Sequence, residues 1–145
     1  MTNKIFYALF VCLILTVQLV AAQEKGTVKI DKLVSQALAG NITKEKTERE
    51  ITVYLPPSYF NSDRHYPTLY LLHGIGDDHL NFVDDETEYF NMQDLMKAGI
   101  AAGHFGEMII VTPNEKTNWF GSFYINSSAT GNWEDFTVRE LVRFY

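Results

Sequence analysis

The segment YPTLYLLHGIGDD (Tyr66–Asp78) runs an apolar stretch into His73, Gly74, Ile75 and Gly76, followed by two aspartates. Buried strands of open α/β sheets present their carboxyl ends to a ligand crevice, and glycines there permit a sharp turn and close approach. Backbone amides just past such a strand can donate to a carbonyl oxygen as it becomes an oxyanion. Losing one donor of this kind typically costs about 3–4 kcal/mol of barrier stabilisation. In that reading His73 positions the turn and is not the catalytic base. The same residues also make an ordinary tight strand-to-helix turn, and spacing alone leaves both readings open.

A second constellation is NWFGSFYINSSATGNW (118–133), dense in aromatic residues among Asn and Ser. Trp119, Phe120, Phe123, Tyr124 and Trp133 can form a stacking and hydrogen-bonding wall for a sugar or aryl group. An aromatic-packed loop covering a sheet reads the same way. The substrate-binding candidates are accordingly His73, Trp119, Tyr124 and Asn126. The acidic run DDHLNFVDDETE (Asp77–Glu88) lacks the alternating ligand spacing of a calcium loop and reads as a solvated loop entering a helix. The four histidines show no metal-ligand spacing, and no G-x-x-x-x-G-K phosphate cradle occurs, so neither a metal nor a cofactor is predicted. No G-x-S-x-G nucleophile elbow is present. Asn41-Ile-Thr43 and Asn126-Ser-Ser128 match glycosylation sequons, which matter only in a eukaryotic source.

These residues sit in a chain of 145 with 46% hydrophobic and 21% charged residues, the balance of a globular protein. Lys4, the apolar run Ile5–Val20 and the small residues before Gln23 form a signal-peptide pattern with cleavage after Ala22. The runner-up is an uncleaved amino-terminal anchor. Cys12, the only cysteine, falls inside that segment, so the mature chain relies on its core without disulfides. Removing residues 1–22 takes away one lysine and moves the net charge from −6 to −7. With no basic patch, nucleic acid and anionic membrane surfaces are poor partners. The expected location is secreted or periplasmic, without stable membrane association after cleavage.

The elements that position the turn follow from periodicity. Thr27–Leu38 and the alternating Ile51, Val53 and Leu55 predict an antiparallel strand pair, the second strand stopping at Pro56-Pro57. Thr68–Gly74 and Glu107–Asn114 are continuous apolar runs, as in parallel strands buried on both faces. Between them Phe90, Leu95, Met96 and Ile100 approximate helical spacing, with Gly103 and Gly106 as the stop. After a loop over 116–131, Asn132 is the predicted N-cap of a helix whose apolar face is Val138, Leu141, Val142 and Tyr145. The fold class is therefore α/β: an antiparallel amino-terminal strand pair, then a parallel βαβ unit with flanking helices. The sheet is incomplete, as in the front part of a larger domain.

In order, the segments ITVYLPPSY, YPTLYLLHGIGDD, MIIVTPN and SFYINSSATGNWEDFTVRELVRFY resemble the amino-terminal half of the esterase D-like α/β-hydrolases. That family includes feruloyl and acetylxylan esterases, S-formylglutathione hydrolases, enterochelin esterases and mycolyltransferases. The resemblance covers Arg49 to Tyr145 and implies a serine hydrolase that cleaves carboxylic esters, here of acylated carbohydrate, through an acyl-enzyme. It implies that Gly74 forms the oxyanion turn and that the Ile75 amide is one donor, the second following the nucleophilic serine. It also implies that residues 23–145 stop short of the elbow and the triad, leaving the fragment inactive alone. The alternative is a non-catalytic, truncated or carbohydrate-binding relative of the same fold. A carbohydrate-binding β-sandwich is disfavoured by the helical segments at 89–103 and 132–145.

Overall fold

The computed structural model of the chain describes residues 25–86 and 90–145. The predicted signal peptide lies outside the described residues. No helix among the described residues is long and apolar enough to cross a membrane.

The sheet is built from β1 (Thr27–Val34), β2 (Glu48–Leu55), β3 (Thr68–Tyr70) and β4 (Ile109–Pro113), in the order β1-β2-β4-β3. β1 and β2 pair antiparallel from Thr27 opposite Leu55 to Val34 opposite Glu48, the predicted pair. β4 pairs antiparallel with β2 and parallel with β3, so it is hydrogen-bonded on both sides. Its burial is nearly complete, as the continuous apolar run predicts.

β1 ends four residues before the predicted Leu38. Ser35 donates its amide to Thr47 and accepts from the Leu38 amide through its hydroxyl, which turns the chain out of the sheet. Leu38 is instead packed, fully buried, against Trp133 and Phe136. β3 also departs from expectation. It is an edge strand and not one buried on both faces, with Leu69 and Leu72 47% and 42% exposed. Among the described residues no strand lies beyond β3 to cover them.

Helices cover both faces. α1 (Met92–Ala101) is capped by Asn91, whose side chain accepts from the Gln93 and Asp94 amides. It lays Met92 and Met96 against Tyr54, Phe82 and Ile110, while Phe90 and Leu95, expected on that face, are exposed. Phe90 precedes the helix, so the buried face runs through Met92, Met96, Gly99 and Ile100. Gly103, at φ +70°, takes the left-handed conformation that ends it, whereas Gly106 needs no such conformation.

The other face is covered by α2 (133–144), an α-turn Trp133–Asp135, a π-helical stretch Phe136–Leu141 and a final turn Val142–Phe144. The π-stretch shifts the apolar face from the predicted one. Trp133, Phe136, Thr137 and Leu141 are buried, while Val138 and Val142 are 55% and 47% exposed. A π-turn holds more residues than an α-turn, so i+3/i+4 spacing misplaces the stripe. Leu141 joins Ile51, Val53, Leu55 and Val111 in one core, with Tyr145 packed at its margin. Asn132 makes no capping bond. It pairs with Asn126 in the two-residue ladder of β5 (Asn126–Ser127) with β6 (Gly131–Asn132), and the Asn126 side chain accepts from the Asp135 amide instead.

The shifted face has a measurable consequence. Leu141→Ala should cost about 2–5 kcal/mol, whereas Val138→Ala, on the exposed side, should stay within about 0.5 kcal/mol. Urea titrations of the two variants check this, and equal losses would restore the α-helical register.

Candidate active site

The parallel pair β3 and β4 end side by side, and the chain leaves each end into the site. After β3 the residues Leu71–His73 lead to Gly74, Ile75 and Gly76. The Gly76 amide donates to Phe120 O at 2.7 Å, and at φ +82° this position suits glycine above other residues. The amides of Gly74 and Ile75 have no acceptor among the described residues. Ile75 is 70% exposed, at the lip of a cavity of about 220 Å³ lined by His73, Gly74, Ile75, Gly121, Ser122, Phe123 and Tyr124.

His73 is buried and fixed at both ring nitrogens. Nε2 accepts the Glu115 amide at 3.0 Å, so the proton is on Nδ1, which donates to Gly74 O at 2.9 Å. Burial holds its pKa below the ordinary value, with the Gly74 carbonyl and Asp77 and Asp78 opposing. A neutral, doubly bonded ring is a strut between the ends of β3 and β4, in keeping with a positioning residue and not a base.

The facing wall is the loop after β4. Thr117 organises it: its hydroxyl donates to Gly121 O and accepts from the Trp119 and Gly121 amides. Phe120, Phe123 and Tyr124 all have φ between +56° and +71°, a left-handed cluster of bulky residues. Tyr124 donates its hydroxyl to His73 O at 2.8 Å. Its own pKa is pushed above the usual phenol value by burial and by Glu115. Ser122 is no nucleophile: its Oγ donates to Glu115 Oε2 at 2.5 Å and accepts the Tyr124 amide, with no histidine bonded to it.

Glu115 stands two residues past the end of β4 and is fully buried. Its carboxylate accepts from Ser122 and Thr137, and burial pushes its pKa up to about 7 against these donors and the nearby Arg49. Arg49 lies over the Trp133 ring at 5.0 Å and donates to Asn114 O and Lys116 O, the carbonyls on either side of Glu115.

Five of the sequence candidates, His73, Gly74, Ile75, Phe123 and Tyr124, come together at the cavity. Trp119 is exposed outside its lining, Asn126 serves α2, and Trp133 is fully buried in the core. Glu115 and Ser122 were not singled out. A carboxylate two residues past a buried apolar strand was the available signal for Glu115. A larger polar groove, about 530 Å³, lies over Lys32, Lys44, Glu45, Arg49 and Asn118. It shares no lining residue with the cavity and contains none of the free amides, so the smaller cavity is the candidate site.

Comparison with known proteins gives the family and the fold. The sequence model of the Esterase family matches residues 42–144. A solved ferulic acid esterase is similar at 27% identity and TM-score 0.67 over 83% of this chain and 43% of its own. A ferulic acid esterase from Anaeromyces mucronatus, solved with ferulic acid, matches at 22% identity and TM-score 0.54 over 83% of this chain and 42% of its own. An S-formylglutathione hydrolase from Agrobacterium tumefaciens matches at 20% identity and TM-score 0.56 over 83% of this chain and 43% of its own. The chain thus spans less than half the length of these structures.

The His73 strut predicts acid sensitivity. Its folded pKa lies below the unfolded value of 6.5, so its stabilisation is present above pH 6.5 and lost as pH falls from there through the lowered folded value. His73→Gln, which keeps one donor and one acceptor, should flatten the acid limb of stability measured by urea titration across pH. An unchanged limb would assign it to His79, the other buried histidine with a lowered pKa.

Proposed function

The chain belongs to the Esterase family, and from that premise we propose that it supplies the oxyanion turn and acyl pocket of an exported serine carboxylic-ester hydrolase acting on acylated carbohydrate. The observation that carries the reading is the pair of unpaired amides at Gly74 and Ile75 beside a cavity walled by Phe123 and Tyr124. A carbonyl oxygen placed at that turn would accept from the Ile75 amide as it gains charge. The aromatic wall would receive the acyl group. At about 220 Å³ the cavity is smaller than the roughly 300–1,000 Å³ of drug-sized pockets, so it suits a feruloyl or acetyl group, with the sugar outside.

In the proposed reaction a serine Oγ adds to the ester carbonyl, the alkoxy group leaves with a proton from the histidine, and water then releases the acid from the acyl-enzyme. The proposal assigns the serine, histidine and acid to sequence following Tyr145. The 145 residues alone would then bind the acyl group without turning the ester over. Export through cleavage after Ala22 belongs to the same proposal.

A longer reading frame should carry G-x-S-x-G within a few tens of residues of Tyr145, and its product should hydrolyse methyl ferulate. The 145-residue chain should bind ferulate, followed by tryptophan fluorescence. Phe123→Ala should weaken that binding about threefold to tenfold, the worth of one aromatic contact. A frame without the elbow would favour the non-catalytic relative, and full affinity in the variant would move the acyl group elsewhere. Mass spectrometry of exported protein should find Gln23 at the amino terminus.

A further inference from the structure

We propose that Glu115 is the positioning residue of the oxyanion turn, acting through a closed circuit of hydrogen bonds and never touching substrate. The circuit leaves Glu115 twice. Its backbone amide donates to His73 Nε2 at 3.0 Å, and His73 Nδ1 donates to Gly74 O at 2.9 Å. Its carboxylate accepts from Ser122 Oγ at 2.5 Å, Ser122 Oγ accepts from the Tyr124 amide at 2.9 Å, and the Tyr124 hydroxyl donates to His73 O at 2.8 Å. Both routes converge on the peptide units immediately before Ile75. The inference rests on the reading of Gly74 and Ile75 as the oxyanion turn.

Two further observations carry it. First, Glu115 is anchored from outside the circuit, by Thr137 of α2 on its other carboxylate oxygen and by Arg49 on the carbonyls of both its neighbours. It is therefore the fixed point and the turn the dependent one. Second, a fully buried carboxylate hydrogen-bonded by the Ser122 and Thr137 hydroxyls carries a large desolvation cost, which an apolar residue of similar volume would avoid. What the carboxylate adds is direction: an acceptor that fixes the Ser122 hydroxyl, leaves its lone pair for the Tyr124 amide, and so holds Tyr124 in its left-handed conformation.

Protonation of the carboxylate would weaken the Ser122 acceptor, so the turn should respond to the titration of Glu115. The other titratable or charged groups facing it are Arg49 of β2, His73 after β3 and Tyr124 of the loop, with Glu45 and Glu50 around Arg49. Of these, His73 also bonds the turn directly, and burial holds its pKa below its ordinary value.

The test is amide NMR of the 145-residue chain across about pH 5 to 9, following Gly74, Ile75 and Tyr124 with Ile51 and Val111 as core references. In the natural chain the three site amides should shift together on one titration near neutrality. Glu115→Gln should abolish that shift while the core references stay in place. Tyr124→Phe, which deletes one hydroxyl, should keep the Tyr124-position shift and lose the shared response at Gly74 and Ile75. Persistence of the Gly74 and Ile75 shift in both variants would assign it to His73 and overturn the proposal. Should Glu115→Gln fail to fold, the Tyr124→Phe result decides alone. Methyl ferulate titrated into the same samples separates the two readings: absent binding with the coupled shift intact supports the circuit and removes only the ester-hydrolase assignment.

Discussion

β4 is hydrogen-bonded on both sides, antiparallel to β2 and parallel to β3, and the rest of the structure is arranged around that constraint. A strand held by two ladders has a carboxyl end that cannot swing, so whatever follows it inherits a fixed position. Asn114 takes the Glu50 carbonyl, Glu115 drops into the interior, and Arg49 from the neighbouring strand clamps the carbonyls on either side. Both helices use the same platform. α1 buries its methionines on the Ile110 side, and α2 buries Leu141 on the Val111 side.

The loop beyond Glu115 is held against its own preferences. Left-handed backbone costs a bulky residue on the order of 1–3 kcal/mol, and Phe120, Phe123 and Tyr124 each adopt it. The compensation is local and polar: three bonds to one Thr117 hydroxyl, two more at Ser122, and the Gly76 amide on Phe120 O. The aromatic rings thereby stay outside the core, with Phe120 and Phe123 70% and 67% exposed. Hydrophobic burial, which fixes most of this fold, plays the smaller part at the cavity wall.

Much of this was legible in the chain. The alternation Ile51-Val53-Leu55 and the continuous run ending in Thr112-Pro113 specify their strands because residue period and burial agree there. The glycine turn after His73 was legible for the same reason, as a break in such a run. What sequence pattern misplaced shares a cause, which is that tertiary partners override local period. The π-stretch in α2 moves burial from Val138 to Phe136 and Thr137, and Ser35 ends β1 early so that Leu38 can meet Trp133. Trp119 and Trp133 are indistinguishable by composition, yet one is exposed and the other fully buried. The link from Glu115 to the turn spans residues 73 to 137, and no local window contains it.

The two borders of the sheet are unlike one another. β1 carries Lys29, Asp31 and Lys32, which pair among themselves and with Glu48, so its flank is dressed in charge. β3 offers an exposed Leu69 between the half-buried Thr68 and Tyr70. Charged edge strands resist the approach of another strand, and bare apolar ones invite it. The sheet's two borders therefore differ in how they would meet another strand, ion pairs lying along β1 and a half-open apolar border along β3, from which the His73–Gly76 turn departs. Any backbone that docks there would arrive within reach of the Gly74 and Ile75 amides, which have no acceptor among the described residues.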